Sequence, residues 1–266
     1  MAIQTQTKGA LEYLTAGNIS TPHCFTTRLG GVSTGTQSSL NLAIGRGDSK
    51  ENVEANLRIL ADALEFDPEK MVMTRQIHSD IVRVVTAEDC KGFFHKDYPE
   101  CDGLVTNVPG LTLLVFTADC TPLLFHDPVT GAVGAAHAGW RGTAQAIGAK
   151  TVQAMVDAFG CDVKNIHAAI GPNIGQCHFE TNADVPQAMV AAFGPEVETY
   201  IQKKGEKFHL DLKAINAMVL RRVGVRNIEV SDSCTYCQHD RFWSHRFTQG
   251  ERGSQGAVIT CTGGAK

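Results

Sequence analysis

Residues 117–142 read TADCTPLLFHDPVTGAVGAAHAGWRG. The stretch has the grammar of a β-hairpin. An apolar run, TPLLFH, leads into Asp127 and Pro128, and GAVGAAHAG leaves it. Pro128 suits the first central position of a type I turn, with Asp127 before it and Gly131 leaving it. With Asp127 to Thr130 as a four-residue loop, a common hairpin connection, His126 pairs with Gly131. Walking back along both strands then sets Cys120 opposite His137. Opposed residues share a face, with Cβ atoms roughly 4.5–5.5 Å apart. A slip of one residue would part them to opposite faces, and Pro122 shortens the pairing near Cys120.

A thiol beside an imidazole has two chemical readings. One is a nucleophile with its base, the imidazole lowering the thiol pKa. The other is metal ligation, zinc foremost, with a further ligand from elsewhere. A buried cysteine beside a histidine satisfied by backbone is the plainer alternative. Directly after His137, AGWRGT turns from strand to helix. Backbone N–H groups at such a turn favour an anion, and Arg141 adds a planar fork suited to phosphate or carboxylate.

Around this hairpin the pattern is mixed α/β (α+β). HCFTTRLGGVS (23–33) reads as a short strand entering a glycine turn. Asp48 or Ser49 caps a helix whose face carries Val53, Leu57, Leu60 and Leu64. MVMTRQIH and DIVRVVT are short strands, and LTLLVFTA is a strand buried on both faces. Residues 143–160 read as one helix stopped by Gly160. Further helices are expected in DVPQAMVAAFG and LDLKAINAMVLRRVG. IHAAIG, NIEVSDS and GAVITCTG are expected strands. No repeat, low-complexity segment or linker divides the chain, so residues 1–266 are expected to form one domain of mixed sheets flanked by helices.

The 266 residues are 43% hydrophobic and 20% charged, ample for a core, with a net charge of −4 and no basic stripe. Nucleic acid is therefore not an expected partner. No segment approaches the roughly 20 apolar residues of a membrane span, and the N-terminus lacks a signal-peptide pattern, so a cytoplasmic protein is expected. Nine cysteines, an odd number, suit free thiols better than a disulfide framework.

Two other constellations carry less. HFE (178–180) and CTYC (234–237) echo the H-x-E and P-C-x-x-C of zinc nucleobase deaminases, but Ser233 stands where the proline belongs. A C-x-x-C without a second pair is weak evidence for structural zinc, and nothing thioredoxin-like surrounds Cys234 and Cys237. His239, close by, reads as capping or solvated. A multicopper centre needs more histidines in closer spacing than this chain has.

TTRLGGVS, LNLAIGRGD, QIHSD, CDGLVTN, TADCTPLLFHD, GAVGAAHAGWRGT, AAIGPNIGQCHFE and DSCTYCQHDRFWSHR occur in order between residues 26 and 246. Together they closely resemble the YfiH family, whose members are called laccase-domain protein, polyphenol oxidase, purine nucleoside phosphorylase and peptidoglycan editing factor. The resemblance implies a CNF/YfiH-like cysteine-hydrolase architecture. It also implies a zinc site at His78, Cys120 and His137, with copper at the same ligands as the alternative. These are the implied catalytic residues as well. The implied activities are phosphorolysis of adenosine, inosine and methylthioadenosine, and deamination of adenosine. The partners would be purine nucleosides and phosphate, with Arg141 and Arg28 on the phosphate and Arg246 a weaker candidate. Asp119 or Asp80 is considered for moving a proton, or as a turn residue. The alternatives are a Cys–His hydrolase acting on a cell-wall precursor, a copper-dependent phenol oxidase, and a monomer or a homodimer as the assembly. The chain departs from the family at FWSHRFTQGERG, where His245 replaces an aromatic and Phe247 an arginine.

Overall fold

A computed structural model describes residues 3–95 and 98–264. The chain opens with strands β1 (Gln4–Lys8), β2 (Leu11–Thr15) and β3 (His23–Thr26), a meander that forms one side of the first sheet. A long irregular stretch then crosses to helix α1 (Lys50–Leu64). Ser49 caps α1 by accepting from the Asn52 amide, and the apolar face buries Val53, Leu57 and Leu60. The stretch before α1 is held by side chains. Buried Asn56 accepts from the Val32 amide and donates to Ser33 Oγ and to the Ser39 and Asn41 carbonyls. Asp48 accepts from Ser33 and Asn41.

Strands β4 (Met71–Met73), β5 (Val82–Val84) and β6 (Gly103–Thr106) follow, then β7 (Thr112–Thr117), β8 (Thr121–His126) and β9 (Val133–Ala138). Helices α2 (Trp140–Ala144) and α3 (Ile147–Phe159) lead to β10 (His167–Ile170). β11 (Glu180–Thr181), α4 (Asp184–Phe193), β12 (Ile201–Lys204), β13 (Lys207–Leu210) and α5 (Leu212–Arg222) form an excursion. β14 (Asn227–Val230), α6 (His245–Thr248) and β15 (Gln255–Thr260) complete the chain.

Two six-stranded mixed sheets result, ordered β1-β2-β3-β15-β7-β4 and β14-β10-β8-β9-β6-β5, with a small sheet β11-β13-β12 beside them. The architecture is a mixed α/β single domain. Alternation along β8 and β9 explains the packing. Leu124, Val133 and Ala135 join Leu113, Leu114 and Val115 of β7 in a core shared by the two large sheets. Leu123, Phe125 and Ala136 face the opposite way, against Val152 and Met155 of α3 and Leu220 of α5. The small residues of VGAAHA let α3 lie close: a Cβ on Gly134 would sit 3.1 Å from Thr151 Cγ2. No helix among the described residues is long and apolar enough to cross a membrane.

Two sequence expectations change. The hairpin loop is longer than four residues, because the Asp127 amide donates to the Ala132 carbonyl and His126 pairs with Val133. The Asp127 carboxylate accepts from the Val129 amide and Thr130 Oγ1, building an Asx turn that the shorter loop did not allow for. The register moves by two, so His137 pairs with Pro122 and Cys120 lies diagonal to it. An even shift preserves the face. The expected helix over 143–160 is broken, since Ala146 adopts a left-handed conformation with φ 58° between α2 and α3. The break serves two cores: Ile147 packs on β9's side with Val152, while Trp140 and Ala144 of α2 pack towards Val185 and Met189 of α4.

Candidate metal-binding active site

His137 closes the inward face of β9, and Cys120 sits just before β8. His78 reaches the same point from the end of the β4 segment. Gln76 explains how. Its amide donates to the Phe116 carbonyl and accepts from the Phe116 amide, continuing the β4–β7 ladder by side chain and ending β4 at a fixed place. The chain then turns sharply at His78, whose φ is 60°.

Asp102 holds this turn. Its buried carboxylate accepts from the amides of Ile77, His78 and Ser79 and from Ser79 Oγ. It also accepts from His137 Nδ1 at 2.8 Å, and its own carbonyl takes the His137 amide. Burial works against its charge, but the hydrogen bonds from His137 and Ser79 win and bring the carboxyl down to about 2. Two consequences follow. The histidine segment and the β9 histidine are tied to one anion. With Nδ1–H donated to Asp102, His137 presents Nε2 as its free lone pair, the arrangement found behind metal-ligating histidines.

The three donor atoms of His78, Cys120 and His137 lie within 4.8 Å of one another, with Cys120 Sγ 3.9 Å from His78 Nε2. The imidazoles meet edge to face at 4.9 Å. Burial opposes charge on both Cys120 and His137. Their mutual attraction outweighs it, so the thiol falls below its ordinary range and the imidazole rises above its own. One thiolate and two imidazoles form a donor set suited to zinc or copper, with a coordination position left for a small molecule. Gly139 makes the approach possible. A Cβ there would stand 2.9 Å from His78 Cδ2 and 3.3 Å from Cys120 Sγ.

The group opens onto a cavity of about 830 Å³ at the seam between the two large sheets. Val53, Met73, Phe116 and Ala118 supply apolar wall, and Arg46 and Arg252 line it too. Burial and the nearby Arg46 push the Arg252 guanidinium down to about 10. Its Nη1 donates to Ser254 Oγ and the Gly253 carbonyl, while its buried Nε meets no protein acceptor. Two guanidinium groups at one wall favour an anion between them.

The structure therefore brings His78, Cys120 and His137 together. The two arginines expected on phosphate have other surroundings. Arg28 lies over Trp243 and donates to the Ser38 and His239 carbonyls; Arg141 is exposed and lies over Trp140. Neither lines the cavity. Arg246 donates to the His178 and Glu180 carbonyls. Asp80 pairs with Lys150, and Asp119 accepts from Thr235 Oγ1 and the Arg246 amide. Phe247 stacks on His239 at 3.5 Å, so the departures at the C-terminal motif build an aromatic contact. Sequence reasoning missed Asp102, Arg46, Arg252 and Gly139 as parts of the site. All four lie in motifs quoted above, but burial marks Asp102, a clash marks Gly139, and the cavity lining marks Arg46 and Arg252.

Residues 22–262 match the family model described as multi-copper polyphenol oxidoreductase laccase. The chain is 41% identical over 254 residues to a Deinococcus radiodurans protein named purine nucleoside phosphorylase, covering 95% of this chain and 94% of that one. It is 35% identical to the Escherichia coli purine nucleoside phosphorylase YfiH, covering 84% and 87%. The crystal structure of YlmD from Geobacillus stearothermophilus superposes with a TM-score of 0.90 at 34% identity, covering 97% of this chain and 98% of that one.

Proposed function

The chain belongs to this laccase-domain family of YfiH and YlmD, and from that premise we propose that it is a metal-dependent purine nucleoside phosphorylase acting at His78, Cys120 and His137. One observation carries the reading: a three-donor group opens onto the same cavity as two arginines and an apolar wall. A metal held by the three donors, zinc or copper, would supply Lewis acidity next to the cavity. His137 is oriented for that task by Asp102. Arg46 and Arg252 hold phosphate, and the Met73, Phe116 and Val53 wall receives the purine of adenosine, inosine or methylthioadenosine. In phosphorolysis a phosphate oxygen bonds to the sugar C1′ as the C1′–N9 bond breaks. The electron pair passes to the purine, which takes up a proton, leaving ribose 1-phosphate and free base. Deamination of adenosine at the same centre is part of the proposal, since a metal site of this type also activates water.

A second reading rests on the Asp102–His137–Cys120 series. An oriented imidazole beside a thiol of lowered pKa is also the arrangement of a cysteine hydrolase, with a cell-wall precursor as substrate. Iodoacetamide separates the two. Under phosphorolysis, metal-loaded protein resists alkylation at Cys120 and releases base from adenosine only with phosphate present, and Cys120→Ala abolishes release. Rapid alkylation of Cys120 in protein of full metal content, with no base release, would overturn the first reading in favour of the second.

A further inference from the structure

Cys177, His178, Cys234 and Cys237 lie outside the cavity, and the function proposed above uses none of them. Their four donor atoms lie within 4.8 Å of one another. Cys177 Sγ is 3.6 Å from Cys234 Sγ and 3.6 Å from Cys237 Sγ. His178 Nδ1 is 3.2 Å from Cys177 Sγ and 3.3 Å from Cys237 Sγ. With Zn–S near 2.3 Å and Zn–N near 2.0 Å, a regular tetrahedron has edges of roughly 3.5–3.8 Å. The sulfur–sulfur separations fall inside that range and the nitrogen–sulfur separations just below it. From this geometry we propose a second, structural metal site of the Cys₃His type, taking zinc or a similar thiophilic divalent ion.

The surroundings hold the four donors together. Cys177 and His178 lie on a turn after β10, and Cys234 to Cys237 lie on a turn after β14. The two turns are fixed side by side by the parallel pairing of β10 with β14 and by a bridge between Asn173 and Cys234. The Gly175 amide donates to Cys234 Sγ at 3.1 Å. Gly175 leaves room, since a Cβ there would come within 3.2 Å of both Cys177 Sγ and Cys234 Cβ. The ammonium of Lys213, mostly buried, donates to the Ser233 carbonyl next to Cys234. His178 is steadied by stacking on Tyr236 at 4.0 Å.

The site also has a place in the mechanics of the first one. Thr235, inside the C-x-x-C turn, donates to Asp119 at 2.6 Å. Asp119 has φ 82° and immediately precedes Cys120. A metal that locks the turn therefore braces the loop presenting Cys120. Four protein donors leave no open position, so the role is structural.

Metal analysis of full-length protein purified under anaerobic, reducing conditions tests this. Two metal equivalents per chain are expected for the wild type, and one for Cys120→Ala and for Cys237→Ala. Cobalt(II) added to metal-stripped Cys120→Ala protein should give the intense sulfur-to-metal charge-transfer band and tetrahedral visible bands of a three-thiolate site. This readout needs no substitution within the cluster and no activity, so it stands if the proposed phosphorolysis fails. The proposal is overturned if Cys120→Ala protein takes up no cobalt while its circular dichroism is native. It is overturned equally if the three cysteines, held reduced with metal present, alkylate as fast as free exposed thiols, or if two of them form a disulfide in the freshly purified protein.

Discussion

The two sulfur-containing groups of this molecule differ in the way that separates reacting metal sites from structural ones. His78, Cys120 and His137 are three donors drawn from three separate segments, open to a cavity and backed by a buried carboxylate. Cys177, His178, Cys234 and Cys237 are four donors from two adjacent turns, three of them at least partly exposed, with a backbone amide on Cys234 Sγ. Three donors leave a position for chemistry; four close the shell. The supports differ accordingly. The first group depends on Asp102 and on the absence of a side chain at Gly139, both set by the pairing of β6 with β9. The second depends on one parallel strand pair.

The sharpest way to break the comparison is to remove a donor from the open group. Cys120→Ala should abolish base release, a loss exceeding the roughly 10–100-fold typical of groups behind a metal ligand, with little change in melting temperature. Enzyme assay beside thermal denaturation checks it, and an active Cys120→Ala protein would mean that the open group is not the reacting one.

Gly139→Ala comes next. The added methyl would press on His78 and Cys120 at once. A displacement of about 1 Å can cost roughly 100-fold in rate, so a loss of that order is expected with the fold retained. Metal content measured on the same sample will show whether binding or turnover suffers.

Asp102→Asn should lower activity or metal affinity by about 10–100-fold, because an amide supports the wrong proton arrangement at His137 Nδ1. It should also destabilise the protein, since the nest of amides from Ile77 to Ser79 loses its anion. Competition against a metal-sensitive dye gives the affinity. The corresponding change at the closed group should leave this value untouched.

Arg252→Lys is the mildest change. A lysine keeps the charge but loses the planar fork, so KM for phosphate should rise by about tenfold or less, with kcat nearly kept. Phosphate saturation at fixed adenosine measures it. An effect confined to KM for the nucleoside would reassign Arg252 to the purine end of the cavity.

The legibility of the two groups differed as well. The pairing of Cys120 with His137 followed from hairpin arithmetic even though the loop length was wrong, because the true register differs by two and keeps the same face. His78 was not reachable that way. Its position depends on Gln76 extending a parallel ladder that local sequence does not announce, so only the family resemblance supplied it. The arginines expected on phosphate, Arg28 and Arg141, do not line the cavity. Arg141 follows a glycine turn that invites an anion, but its side chain lies over Trp140, while Arg252 comes to the cavity from a loop before β15. The closed group was set aside because its C-x-x-C lacked a visible partner pair. The partner is the adjacent Cys177 and His178, some 57 residues upstream, and only the β10–β14 pairing brings them there.

The identity of the sugar product is the most direct test of phosphorolysis at this site. Adenosine or inosine would be incubated with phosphate and wild-type protein of measured metal content, and the products separated. Ribose 1-phosphate and free purine are expected in equal amounts, dependent on phosphate and lost on stripping the metal. Unphosphorylated ribose, or no cleavage by fully metal-loaded protein, would contradict it.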